Sequence, residues 1–197
     1  MMVNEDSQVP LLALPVDALK AHLRMGSGFA EDAVQDEVLA SFLRAALAAV
    51  EGRTGKVLIE RGFTLRLEAW RDGVAEILPL APVQSVTSVV LLDGDGAAST
   101  VADTVYRLVP DAHQPKIAAR AGRLPEPVSG GAIEVTFAAG FSTDFSGLPA
   151  DLQQSVLLLA AHYYEYRDET ALGDGCMPFG VTSLLARYRP MRLGLAR

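Results

Sequence analysis

Hydrophobic residues recur at helical spacing near the start of the chain. PVDALKAHLRM, from Pro15 to Met25, has apolar residues three and four apart behind a proline suited to a first turn, so it predicts a short amphipathic helix. A second, longer helix is predicted from Glu31 to Glu51, with Gly52 as its stop signal. Its apolar set repeats every four residues beside a row of leucines: Val34, Val38, Phe42, Ala46 and Val50, with Leu39, Leu43 and Leu47.

The hydrophobic period changes to two after Gly55. FTLRLEAW, from Phe63 to Trp70, alternates apolar and polar residues and predicts a half-buried strand. Further short segments are rich in β-branched or aromatic residues and are separated by turn-forming sequences: AEILPL, VQSVTSVVLL, TVYRLV, PKIAA and AIEVTFAAG. They predict a small antiparallel sheet or sandwich between about Phe63 and Gly140.

Helical spacing returns with Pro149 in the segment LPADLQQSVLLLAAHYYEYRDE. This predicted helix is apolar nearly all round, so it must be buried on several sides, by its own domain or by neighbouring molecules. The segment VTSLLARY, residues 181–188, predicts one last short helix before a basic end.

These elements predict an α+β protein. We expect a helical bundle of the two N-terminal helices and the long late helix, with a small antiparallel β lobe inserted in sequence and an extended C-terminal arm. The corresponding boundaries are an N-terminal extension at 1–14, a helical core at 15–55 and 148–189, the β lobe with its linker at 56–147, and the arm at 190–197.

Composition narrows the class of protein. Half of the 197 residues are hydrophobic and 21% are charged, as in globular proteins. The formal net charge of −7 argues against the whole protein being a nucleic-acid binder. The single cysteine, Cys176, cannot pair within the chain and fits a reducing cytoplasm. The polar start MMVNEDSQVP does not look like a signal peptide, and no apolar run is long enough for a membrane span.

Two segments contain residue types that bind metals. His162 and Glu165 lie three residues apart on the late helix, as metal-binding pairs do, but the early helix offers no histidine to complete a site. DGDGAAS, from Asp93 to Ser99, begins like a calcium loop, yet it lacks the later acidic ligands and is better explained as a hairpin turn. We therefore predict no metal and no cofactor.

Nucleophilic catalysis finds equally little support. GFSTDFSG, from Gly140 to Gly147, lacks the spacing of a serine nucleophile elbow, and it is predicted as the loop that leads from the sheet to the late helix. Cys176 has no histidine near it in sequence. Such a residue usually serves as a small apolar side chain.

The late helix and the chain end suggest assembly with other molecules. The surplus apolar surface of the helix predicts a subunit interface that comprises Val156, Leu159, Tyr163, Tyr164 and Tyr166. Four arginines near the end of an acidic chain have no Asp or Glu beside them: Arg187, Arg189, Arg192 and Arg197. Such arginines suit a partner groove with acidic or carbonyl-rich walls, although a solvated terminus would have the same composition.

Six motifs, taken in order, resemble the head–tail connector, or adaptor, proteins of tailed bacteriophages, prophages and gene transfer agents. The resemblance runs from about Leu11 to Arg189. The motifs are LKAHLRM, VEGRTGKVL, LPLAPVQSVTSVVLLDGDG, IEVTFAAGF, LPADLQQSVLLLAAHYYEYRDE and PFGVTSLLARYR. Each motif alone is weak, but the ordered set is fairly specific.

The resemblance implies a structural protein and not an enzyme. It implies a ring of about twelve copies beneath the portal protein, in the neck of a phage-like particle assembled in the bacterial cytoplasm. The ring would contact a stopper protein on its tail side and let DNA pass without sequence-specific binding, with no membrane partner. Portal-binding residues would then lie on the arm and its base: Arg187, Tyr188, Arg189, Met191, Arg192, Leu193, Leu195 and Arg197.

A second hypothesis comes from a different class of protein. A small hydrolase or ligand-binding protein would have its site between sheet and helices, and His162, Glu165 and Asp144 are the residues that best suit such chemistry.

Overall fold

The computed structural model describes residues 1–25, 33–167 and 177–189. The chain forms two compact units. Residues Met1–Gln8 and Ile59–Phe141 form the first, which we call the sheet unit, and Val9–Leu58 and Ser142–Arg197 form the second, the helical unit. The protein is therefore α+β, as predicted.

All strands of the described residues lie in the sheet unit. In chain order they are β1 (Met2–Glu5), β2 (Arg61–Leu67), β3 (Ala75–Ile77), β4 (Val83–Leu92), β5 (Ala98–Thr100), β6 (Tyr106–Val109), β7 (Lys116–Ala119) and β8 (Ala132–Ala139). They form a five-stranded sheet in the order β1-β2-β8-β4-β5 and a three-stranded sheet in the order β3-β7-β6. Every pairing is antiparallel, which confirms the predicted type of sheet.

Alternating burial explains how the central strands are held. Strand β2 buries its odd-numbered residues Phe63, Leu65 and Leu67, and β8 buries every second residue from Ile133 to Ala139. The register places Leu65 opposite Val135, so the apolar rows of the two strands lie on the same face.

Strand β1 corrects the prediction that residues 1–14 are an extension. Val3 pairs with Leu65, and Arg61 Nε lies 2.7 Å from Glu5 Oε1. The strand lies at the sheet edge and most of its side chains are exposed, so backbone pairing holds it without a hydrophobic alternation. The short exposed strand β5 was missed for the same reason.

The helical unit contains α1 (Val16–His22), α2 (Ala33–Thr54), α3 (Ala150–Glu165) and α4 (Phe179–Leu185) among the described residues. Short 3-10 helices lie at Leu11–Ala13, Phe145–Gly147 and Ala186–Tyr188. Helix α3 packs against the other three helices, and α1 also packs against α2. The predicted packing of the two early helices with the late helix is confirmed. No helix of the described residues is both long and apolar enough to span a membrane.

Helix α2 differs from its prediction in two respects. Five residues of the predicted apolar set are buried, namely Leu39, Leu43, Ala46, Leu47 and Val50, whereas Val34 and Val38 are exposed. Gly52 does not end the helix, which continues to Thr54. The ending residue is Gly55, whose φ of +67° favours glycine, and the Thr54 hydroxyl donates to the Val50 carbonyl at 2.8 Å.

Candidate assembly interface

The last described turn of the chain is held against the first turn of α3. Tyr188 is only 7% exposed, and its hydroxyl donates a 2.7 Å hydrogen bond to Oδ1 of Asp151. Arg187 Nε lies 3.3 Å from Oδ2 of the same carboxylate. Two consecutive residues therefore engage both oxygens of one acid, and we call this cluster of Asp151, Arg187 and Tyr188 the arm latch.

The electrostatics of the arm latch keep the tyrosine protonated. Burial, the hydrogen bond to Asp151 and the negative charge there together raise the pKa of Tyr188 to about 12. Arg187 acts in the opposite direction on that pKa, and its guanidinium carbon lies 4.8 Å from the centre of the Tyr188 ring. The hydroxyl is therefore a hydrogen-bond donor throughout the physiological pH range.

The predicted portal-binding residues differ in whether their side chains are buried, exposed or outside the described part of the chain. Tyr188 is already buried against α3, so its side chain anchors the chain internally, and its docking on a portal stays a prediction. The side chain of Arg187 is largely exposed despite its ion pair, and Arg189 is exposed. The other predicted residues lie outside the described part of the chain: Met191, Arg192, Leu193, Leu195 and Arg197.

Tyr164 joins the end of α3 to the beginning of α2. Its ring meets Phe42 edge to face with centroids 5.9 Å apart, and its hydroxyl accepts a 3.2 Å hydrogen bond from Gln35 Nε2. The guanidinium carbon of Arg167 lies 5.2 Å from the centre of the ring. Tyr164 therefore stabilises the helical unit itself, although it is only half-buried.

The predicted subunit interface is only partly accessible. Val156 and Leu159 are completely buried, because α3 directs them into the contacts with its neighbouring helices. Their assignment to a subunit interface is corrected. Tyr163 is half-buried and burial raises its pKa, whereas Tyr166 is 42% exposed and lies beside His162, with ring centroids 4.7 Å apart.

Two exposed apolar side chains were missed by the sequence analysis. Phe179, the first residue of α4, is 87% exposed, and Leu12 in the 3-10 helix Leu11–Ala13 is fully exposed. Pro178 directly before Phe179 is the available sequence signal, because proline is common at helix starts. Leu12 has no comparable signal.

Solved structures of similar proteins identify the family. The chain is 49% identical, with a TM-score of 0.90, to a chain in the neck of an empty gene transfer agent particle computed with C6 symmetry, and the match covers both chains completely. It is 47% identical, with a TM-score of 0.84, to a chain in the neck of a native particle computed with C12 symmetry, again over both whole chains. This chain belongs to the family of gene transfer agent neck proteins.

A third similar chain comes from the virion of a native gene transfer agent particle. It is 48% identical with a TM-score of 0.86, and the match covers all of this neck protein and 99% of that chain. No family model and no curated protein matches this sequence.

Of the three residues that would suit hydrolysis, Asp144 and His162 make contacts within this neck protein. Asp144 caps the 3-10 helix Phe145–Gly147, where its Oδ1 accepts hydrogen bonds from Ser146 Oγ at 2.6 Å and Gly147 N at 3.0 Å. These bonds hold the pKa of Asp144 below its usual value. His162 lies against Tyr166, and Glu165 is exposed at the end of α3.

Local geometry is informative at the two segments with metal-binding residue types. Within residues 1–25, 33–167 and 177–189, no three or more His, Cys, Asp or Glu side chains are grouped to hold a metal ion. The DGDG segment connects β4 to β5, where Asp93 Oδ1 accepts from Asp95 N and Ala97 N, so the predicted hairpin turn is confirmed. Cys176 lies outside the described residues.

Proposed function

We propose that this protein is the head–tail connector, or adaptor, subunit of a gene transfer agent particle. About twelve copies form a ring beneath the portal protein, join the capsid to the tail, and surround the channel through which DNA passes. The observation that carries the proposal is the full-length likeness, at 47–49% identity, to chains from gene transfer agent necks and virions. The C6 and C12 symmetries of the neck structures support a ring.

The proposed ring has three protein partners: the portal, neighbouring copies of the chain, and a stopper on the tail side. The basic arm, residues 190–197, docks on the portal, and the exposed Arg187 and Arg189 extend its charge toward the folded unit. Arginine suits such a contact because its guanidinium makes aligned pairs with carboxylates or carbonyls. Tyr166, together with the accessible parts of Tyr163 and Tyr164, contributes to the contact between copies.

The protein has a structural role in the particle neck and no catalytic role. The particle is assembled in the bacterial cytoplasm. The chain's formal charge of −7 suits a DNA channel, because an acidic ring attracts phosphate weakly and lets the duplex slide. Purified rings should therefore not bind duplex DNA tightly at physiological salt. Tight, salt-sensitive binding would contradict this part of the proposal.

Deletion of residues 191–197 in the producing bacterium tests the docking role. The truncated protein should fold normally, as judged by circular dichroism, while electron microscopy should show capsids that lack tails. A matched control replaces the same seven residues with a Gly/Ser segment of equal length, which separates arm chemistry from chain length. Normal tailed particles from the truncated gene would contradict the docking role.

A further inference from the structure

The solvent-exposed face of α2 carries an uncharged stripe along most of the helix. Its residues recur at alternating spacings of four and three, and all of them are exposed: Val34, Val38, Ser41, Ala45, Ala48 and Gly52. We call this set the α2 stripe. The exposed face of a soluble helix usually has charged and polar side chains, whereas this spacing of apolar and small residues is typical of a helix that packs against another helix.

A second exposed apolar feature of the helical unit lies on α4. Val181 and Leu185 are buried on the side of α4 that packs against α3. The opposite side presents Phe179, Ser183 and Arg187, which are four residues apart and all exposed. We call this the α4 face. Because Phe179 is 87% exposed, the described part of the chain leaves a large aromatic side chain almost uncovered.

The charges beside these two surfaces favour one way of bringing them together. Arg187 is eight residues from Phe179, which is about 12 Å along a helix. On α2, the exposed residues Glu37 and Arg53 lie eight residues to either side of Ala45. If Phe179 lies on Ala45, an antiparallel crossing places Arg187 beside Glu37. A parallel crossing would instead place Arg187 beside Arg53, so charge complementarity favours the antiparallel arrangement.

We propose that the α2 stripe of one copy binds the α4 face of the next copy in the ring. This inference rests on the proposed function, in which copies of the chain form a closed ring. Such a ring needs two different surfaces on each copy, one for each neighbour. Ala45 and Ala48 are small and leave room for the side chain of Phe179, whose burial there removes apolar surface from water. Arg187 pairs with Asp151 through Nε, and a guanidinium has further N–H donors.

Disulfide trapping in particles from the producing bacterium tests this contact. Cys176 is replaced by serine in every variant, because it is the single cysteine of the chain. Ala45→Cys combined with Phe179→Cys should link neighbouring chains when the particles are oxidised in air with copper phenanthroline, because the two Cβ atoms would lie within disulfide reach. The linked products should extend beyond dimers, since each copy contributes both surfaces.

Gly52→Cys combined with Phe179→Cys is the matched control. Gly52 belongs to the same stripe, but it lies seven residues from Ala45, or about 10 Å along the helix, which is too far for a disulfide. This pair should therefore give on the order of tenfold less linked product than the Ala45 pair.

Ala45→Glu tests the same contact without a new bond. Because Ala45 is exposed, this variant should unfold at the same urea concentration as the wild type. Association between copies should nevertheless weaken at least about tenfold, because the new carboxylate would be buried against an aromatic side chain. Ala121→Glu, in the exposed turn after β7, is the control and should assemble normally.

The outcomes separate this inference from the proposed function. Necks with a normal number of copies but without linked chains from the Ala45 pair would overturn the inference, and so would products that stop at dimers. Normal assembly of Ala45→Glu would also overturn it, and this variant decides alone if Phe179→Cys prevents assembly. Absence of the wild-type protein from purified necks would instead refute the proposed function.

Discussion

Phe63 of β2 and Phe137 of β8 are paired directly across the five-stranded sheet, with ring centroids 5.9 Å apart and planes inclined by 25°. Both side chains are buried. Phe137→Ala should lower the free energy of unfolding by about 3–5 kcal/mol, because it removes a ring from a packed core. Urea denaturation followed by the fluorescence of Trp70, the only tryptophan, reports on this unit.

The control for that substitution is the neighbouring residue on the other face of β8. Thr136 is half-buried there, so Thr136→Ala should change the free energy of unfolding by less than about 1 kcal/mol. Equal losses for the two variants would contradict the placement of the core on the Phe137 face.

Two glycines at the end of α2 should respond to alanine with opposite signs. Gly52 lies inside the helix and a Cβ there would meet open space, so Gly52→Ala should stabilise the protein by about 0.5–1 kcal/mol. Gly55 has a φ of +67°, where a Cβ is strained, so Gly55→Ala should destabilise it by about 1–2 kcal/mol. Thermal unfolding measures both, and shifts of the same sign would contradict the helix end at Thr54.

The raised pKa of Tyr188 predicts how stability changes in alkaline solution. The folded protein holds this proton more tightly than the unfolded chain, since the pKa rises from 10.0 to about 12. The contribution of the hydroxyl is therefore complete below pH 10 and is lost as the pH rises through 12. The stability difference between wild type and Tyr188→Phe should be constant up to about pH 9 and shrink between pH 10 and 12.

Urea titrations of wild type and Tyr188→Phe at a series of pH values measure this difference. Taking the difference cancels the other tyrosines, which titrate in both proteins. A difference that stays constant to pH 12 would show that the Tyr188 proton is held no more tightly in the folded state.

Leu159 and Tyr166 separate folding from assembly. Leu159→Ala should lower the free energy of unfolding by about 2–5 kcal/mol, because Leu159 is completely buried. Tyr166→Ala should change it by no more than about 0.5 kcal/mol, because this side chain is 42% exposed, yet it should reduce ring formation. Denaturation and electron microscopy of assembled rings give the two readouts, and normal rings from Tyr166→Ala would contradict its proposed role.

The elements that bury a regular apolar pattern could be predicted from sequence. Strand β4 begins and ends where VQSVTSVVLL does, and the region of α3 was identified by its dense apolar residues. Strand β1 could not be predicted, because an edge strand such as Met2–Glu5 is defined by backbone pairing with residues far along the chain. Val34 and Val38 were wrongly included in the apolar face of α2, because they are as apolar as the leucines that form the core.

The candidate interface was less predictable than the fold. The importance of Asp151 depends on a contact with Tyr188, 37 residues later, which no local pattern records. A helix that is apolar nearly all round must be buried, but its sequence does not show whether the same chain or another subunit covers it. Val156 and Leu159 were therefore assigned to an interface, whereas they are buried within the chain.

The edge position of β1 affects the order of events during protein synthesis. Met2 leaves the ribosome before the helical segment Val9–Leu58, whereas its pairing partner Arg66 follows that segment. A nascent chain can therefore complete helix α2 while β1 still has no neighbour. Closing this long loop completes the outer edge of the five-stranded sheet, so β1 can pair only after the whole helical segment and β2 have been synthesised.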